Sequence, residues 1–188
     1  MEWLIDIDIS LFFWINQGWS CDFLDIVTPV IRNKYTWIPL YVGILAFVAF
    51  NFGKKAWWYL FFALLTVSLS DSVSSKLVKP NVKRVRPCHT FEDVNLLIRC
   101  GSGYSFTSSH ATNHFALGTF FLLSLGFIMK NWKYLFILWA LAISLSQVYV
   151  GVHYPLDILG GGILGILCGI LVNWVFSKKI IFKPQIEV

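Results

Sequence analysis

"ATNHFALGTFFLLSLGFIM" occupies residues 111–129 and carries no formal charge over 19 positions, His114 being its one titratable side chain. A helix rises about 1.5 Å per residue, so this length reaches across most of a bilayer's hydrocarbon core of about 30 Å. Four more intervals repeat the pattern. Residues 35–53 and 134–152 are each free of formal charge over 19 positions, 158–177 over 20, and 56–75 spans 20 with Asp71 alone. The chain is 57% hydrophobic and 13% charged, with nine Trp and seventeen Phe, more apolar surface than a soluble domain of 188 residues can hide. It reads as an all-α, polytopic membrane bundle, one domain over 1–188 with five spans near those intervals.

The first 34 residues differ. Their longest uncharged interval, 9–21, is too short to span, and acids punctuate the stretch at Glu2, Asp6, Asp8, Asp22 and Asp25. Leu11, Phe12, Trp14 and Ile15 supply apolar bulk, so one or two amphipathic helices lying in the membrane interface are expected. A sixth, strongly tilted span is the alternative. No basic region precedes the apolar segment, which argues against a cleavable signal peptide.

Five spans put the polar segments 76–109 and 153–157 on one side. The other side receives Lys54, Lys55, Lys130, Lys133, Lys178, Lys179 and Lys183 against one acid, Glu187. That bias marks the lysine side as cytoplasmic and turns the polar segments outward. The segment 76–109 is itself basic and would invert the topology if its charges governed insertion. Residues that bind an anion, however, are kept wherever the site lies.

Three stretches then share one membrane face: "KPNVKRVRP" at 79–87, "TSSH" at 107–110 and "SQVYVGVHYPLD" at 146–157. Hydrolysis of a phosphate ester or pyrophosphate needs cations for the non-bridging oxygens, a nucleophile, and an acid for the leaving oxygen. Lys79 and Arg86 can supply the cations, a guanidinium being suited to bidentate contact, although interfacial anchoring would also explain them. Ser108 and Ser109 stand where a helix begins. A hydroxyl there caps the helix, and its free N–H groups form an anion site. Capping alone would leave His110 without a reason. His153 and Asp157, four apart with Pro155 suited to a first helical turn, can pair so that the carboxylate fixes the imidazole tautomer and frees the other nitrogen. A chance pairing at a membrane boundary is the bland alternative.

In order and spacing the three stretches resemble the signature motifs of the type 2 phosphatidic acid phosphatase superfamily, membrane lipid phosphatases with vanadium haloperoxidases as distant relatives. The resemblance covers roughly 79–160 by motif. It implies His153 as a nucleophile forming a phosphohistidine, Asp157 as its orienting carboxylate and His110 as proton donor. Lys79, Arg86, Ser108, Ser109 and the residue at 147 are then phosphate contacts. It implies no cofactor and no metal, since protein cations take a metal's place. A haloperoxidase would need vanadate and usually a larger soluble scaffold.

Two departures stand out. Thr107 occupies a position where the family usually has proline, and Gln147 one where it usually has a phosphate-gripping arginine. Charge-assisted contacts are roughly twice as strong as neutral ones, so another cation is needed, with Arg84, Lys83 and Arg99 as candidates. Otherwise the chain would be an impaired member that only binds or transports a lipid phosphate. His114, one turn past His110, can support the site or hydrogen-bond between helices. Asp71 is expected to pair with Lys76 or Lys79.

Cys88 and Cys100 lie in the same polar loop. In an oxidising compartment they can form a disulfide that restrains the chain carrying Arg86; in a reducing one they are unrelated thiols. The expected partner is a lipid substrate in the bilayer, with no nucleic acid. Undecaprenyl pyrophosphate leads, because short loops leave little protein to hold a large head group. Lipid A phosphate and phosphatidylglycerol phosphate are the other candidates.

Overall fold

A computed structural model describes residues 2–179, and Lys183 and Glu187 lie outside them. Every regular element among the described residues is helical. α1 (Glu2–Asn16) and α2 (Asp22–Ile31) come first, followed by α3 (Ile38–Phe52) and α4 (Ala56–Ser72). Residues Val73–Val78 continue α4 as a π-helix into the short α5 (Lys79–Val82), and α6 (Pro87–Thr90) lies in the following loop. The long α7 (Ser109–Met129), α8 (Leu135–Tyr149) and α9 (Pro155–Lys179) complete the chain.

Three helical runs, 34–90, 109–149 and 155–179, are long and apolar enough to cross a membrane. The first two double back, at Gly53 (φ 56°) and at Lys130 (φ 48°), where the backbone enters the left-handed region that ends helices. α3, α4, α7, α8 and α9 therefore fall on the five charge-poor intervals. Their outer faces carry exposed Phe50, Trp57, Leu64, Leu138 and Leu167, as contact with lipid tails requires. The inner faces meet in an aromatic core of Tyr59, Phe62, Phe120, Phe121, Phe136 and Phe176.

The closest helix pair is α7 with α9. Gly161, Gly165 and Gly169 recur every fourth residue along α9, so they share one face. A Cβ at Gly161 would stand 2.8 Å from the Ser108 carbonyl oxygen, and one at Gly169 2.5 Å from that of Ala116. Small residues let membrane helices approach to backbone contact. Here they bring the start of α7 against the start of α9, and the Ser108 N–H donates to the Asp157 carbonyl at 3.0 Å.

α1 and α2 pack against α8 rather than standing apart from the bundle. On α1 one face exposes Trp3, Ile7 and Trp14, while Asp8, Phe12 and Asn16 on the other are fully buried. Asn16 holds the 91–95 loop, its amide donating to the carbonyls of Asn95 and Tyr149 at 2.9 and 2.7 Å.

Candidate active site

The polar residues converge at the end of the bundle where α7 and α9 begin. The turns holding Lys54, Lys55, Lys130 and Lys133 lie at the opposite end of the helices. His153 sits in a five-residue link between α8 and α9. Gly151 makes the link possible: its φ of +87° is open to glycine, and a Cβ there would meet the Val94 side chain at 2.5 Å. Both Val152 and His153 then donate their N–H groups to the Gln147 carbonyl at 3.2 Å.

The imidazole of His153 is 3% exposed and clamped on both sides. Its Nδ1 lies 3.3 Å from Asp157 Oδ2, and its Nε2 lies 3.1 Å from Arg86 Nη1. A guanidinium only donates, so Nε2 must accept and the ring proton resides on Nδ1, where it donates to Asp157. The free lone pair is therefore on Nε2. Burial, opposed by Asp157 and assisted by Arg86 and Lys79, lowers the His153 pKa to about 4.

Asp157 is held in turn. Its Oδ2 also accepts from the Tyr154 N–H at 2.9 Å, and its Oδ1 accepts from Arg84 Nη1 at 2.9 Å. Arg84 lies over the Tyr154 ring at 3.8 Å and donates through Nη2 to Asp8 Oδ2 at 2.5 Å. The other oxygen of Asp8 accepts the Leu156 N–H at 2.8 Å, in the first turn of α9. A chain of buried charge thus runs Asp8, Arg84, Asp157, His153. Arg84 is a support for Asp157, and both of its terminal nitrogens are engaged by the carboxylates of Asp8 and Asp157. Lys83 and Arg99 are exposed and take no part in this network.

Lys79 and Arg86 reach the same cluster and bind the 101–105 loop. Lys79 Nζ donates to the carbonyls of Tyr104 and Ser105 at 2.8 and 3.2 Å, and Arg86 Nε to that of Gly103 at 2.8 Å. Cys88 and Cys100 are joined in a disulfide with their Cα atoms 6.2 Å apart, which ties the Arg86 segment to that loop.

Ser108 caps α7, its Oγ accepting from the Ala111 N–H at 3.5 Å, and the N–H groups of the first turn lack intrahelical acceptors. Thr107 replaces a rigid proline with a hydroxyl 3.1 Å from Ser74 Oγ; Ser109 Oγ lies 3.2 and 3.1 Å from the hydroxyls of Ser74 and Ser75. His110 lies close enough to Arg32, His153 and Arg86 to feel their charge. Its ring stacks parallel to His114 with centroids 6.3 Å apart. His114 Nδ1 donates to the His110 carbonyl at 2.8 Å, within its own helix, and its ring meets Trp139 edge-on. It makes no interhelical hydrogen bond among the described residues. Asp71 accepts from Asn113 and Ser75 at 3.1 and 3.4 Å rather than pairing with a lysine.

Two contributors were not legible beforehand. Asp8 was one acid among five in a segment read as interfacial. Arg32, just past α2, donates through Nε to Gln147 Oε1 at 3.3 Å. From His110 a cavity of ≈ 520 Å³ runs between α3, α4 and α7, lined by Tyr41, Ile44, Leu60, Val67 and Leu117.

The model of the PAP2 superfamily matches residues 55–181. The chain belongs to that superfamily. PAP2 membership accounts for all three motifs, and similarity extends beyond the matched region. The lipid A 4′-phosphatase of Bacteroides thetaiotaomicron is 33% identical over 185 residues, covering 95% of this chain and 80% of the relative. That of Porphyromonas gingivalis is 29% identical, covering 94% and 75%. Among solved structures, the PAP2-type phosphatidylglycerolphosphate phosphatase of Bacillus subtilis superimposes with a TM-score of 0.69 at 25% identity, over 97% of this chain and 90% of that one. The protein is a multi-pass membrane lipid phosphatase of the PAP2 type.

Proposed function

We propose that the protein removes a phosphate from the sugar head group of a lipid A-like glycolipid through a phosphohistidine on His153. The carrying observation is the double clamp on His153, which leaves Nε2 unprotonated beside two cations and a helix N-terminus, with an apolar cavity opening alongside. Lys79, Arg86 and the first-turn N–H groups of α7 take the non-bridging oxygens. Nε2 attacks phosphorus in line and forms the N–P bond as the P–O bond breaks. An N–H of His110 protonates the departing oxygen. In the second half-reaction His110 takes a proton from water, water attacks phosphorus, the N–P bond breaks and Nε2 regains its lone pair. Asp157 stabilises positive charge on the ring throughout, and the apolar cavity suits an acyl chain.

The lipid A reading draws on two relatives whose similarity covers nearly the whole chain, including most of the amino-terminal segment that the family match omits. Undecaprenyl pyrophosphate is the second reading, favoured by the short polar loops. An outward-facing site is supported by the lysines at the far end and by a disulfide in the site loop, since disulfides persist in oxidising compartments.

Phosphate release by the purified protein from lipid A, undecaprenyl pyrophosphate and phosphatidylglycerol phosphate tests the assignment, with His153→Ala as blank. Fastest turnover is expected on lipid A. Faster turnover on undecaprenyl pyrophosphate would replace the first reading with the second.

A further inference from the structure

Where the family resemblance leads one to expect an arginine, position 147 carries glutamine, and the structure brings Arg32 against it from another part of the chain. Gln147 is fully buried on α8. Its Oε1 takes the Nε–H of Arg32, and its Nε2 has no hydrogen-bond partner among the described residues. A buried amide held at one end and unpartnered at the other fits a site whose second acceptor arrives with a ligand. Arg32 is half-buried, and among the described residues no carboxylate pairs with it. Its two terminal nitrogens carry no hydrogen bond among those residues. Instead it faces other cationic or titratable groups. Burial first, and the charge of Arg86 second, hold its pKa below the ordinary arginine value, and its charge is felt at His110. A half-buried guanidinium beside another cation, with no carboxylate of its own among the described residues, creates a site that an anion neutralises.

We infer that Arg32, seated on Gln147, is the third phosphate-contacting cation, so that the amino-terminal segment supplies a direct phosphate contact as well as the supporting Asp8. The assignment rests on the phosphatase reading above. Gln147 is the positioning residue: its carbonyl oxygen aims the guanidinium through Nε and leaves the forked Nη pair for two non-bridging oxygens. Its free Nε2 donates to the same phosphate. An arginine at 147 would collide electrostatically with Arg32.

The test transplants the charge. Orthovanadate, a phosphate mimic, is titrated as inhibitor of lipid-phosphate turnover by the parent protein, Arg32→Gln, Gln147→Arg and the double variant Arg32→Gln/Gln147→Arg, with thermal unfolding as a check on folding. Hydrogen bonds to charged groups contribute about 1.5–3 kcal/mol, so Arg32→Gln is expected to weaken vanadate by roughly 10- to 150-fold. Gln147→Arg alone is expected to lower activity, and the double variant to regain at least tenfold in vanadate affinity over Arg32→Gln. A folded Arg32→Gln that binds vanadate as the parent does overturns the inference alone. So does a folded double variant that binds no better than Arg32→Gln. A parent protein that releases no lipid phosphate and ignores vanadate overturns the proposed function, and the inference with it.

Discussion

Arg86 donates to Nε2 of His153 at 3.1 Å, so the nitrogen proposed to attack phosphorus is occupied by a cation proposed to bind it. One contact thereby fixes the tautomer and shields the lone pair. When phosphate arrives, its oxygens are better acceptors for the guanidinium than a neutral imidazole, and Arg86 turns to them. Nε2 is released at the moment an electrophile stands beside it.

The pH profile follows from that contact. With its pKa lowered to about 4, chiefly by burial, His153 is neutral over the range in which most enzymes are assayed. The acid limb of kcat/KM is expected near pH 4 rather than near the ordinary histidine value of 6.5. Asp157 raises the His153 pKa, so Asp157→Asn shifts the acid limb lower still while reducing the rate at neutral pH. The same depression bears on stability. The unfolded chain takes up the proton first, so the contribution of neutral His153 is complete above pH 6.5 and declines as pH falls toward 4. A pH–rate series on parent and variant checks both signs, and an upward shift in Asp157→Asn would contradict the assignment.

Proton donation by His110 is tested through the leaving group. An aryl phosphate departs as a stabilised anion, whereas a lipid sugar oxygen needs a proton. His110→Ala is expected to lose about 10²–10⁴-fold on the lipid substrate and much less on the aryl phosphate. Equal losses on both would remove His110 from the acid role.

Asp8 is expected to matter despite lying some 150 residues from Asp157 in sequence. Removing one partner of a buried ion pair costs about 3–5 kcal/mol, and Arg84, 23% exposed, places Asp8→Ala at the low end. The lost carboxylate also uncaps the Leu156 N–H, so Asp8→Asn, which retains an acceptor oxygen, should be milder. Thermal unfolding in detergent measures the order. Equal midpoints for Asp8→Ala and parent would show that the pair contributes nothing.

Close approach of α7 and α9 predicts that Gly161→Ala lowers both stability and turnover. Its Cβ would press on the Ser108 carbonyl and displace the turn carrying Ser108 and His110; overpacking costs about 1–3 kcal/mol. Gly43→Ala, with nothing within 4 Å of the added atom, is the matched control and should leave both unchanged. Comparison of melting midpoints and rates for the two variants decides the matter.

The lipid-facing helices were legible because a bilayer acts on every span independently: 19 or 20 residues without charge are enough, whatever surrounds them. His110, His153 and Asp157 could be proposed from the sequence because their candidate chemistry sits in short local motifs, and the i, i+4 pairing of His153 with Asp157 needs only one helical turn. Nothing local distinguishes Asp8 or Arg32. Each is one charge in an acid-rich, half-apolar segment, and its role arises only when α1 and α2 fold onto α8. Long-range packing also decided where Arg84 went. Its sequence neighbours suggested a phosphate cation, but the buried carboxylates of Asp8 and Asp157 engage both of its terminal nitrogens. Sequence alone set the elements and the candidate reacting groups, because those depend on residue type and near neighbours. The tertiary structure decided which charges face one another, because desolvated charges are settled by partners that the chain brings from far away.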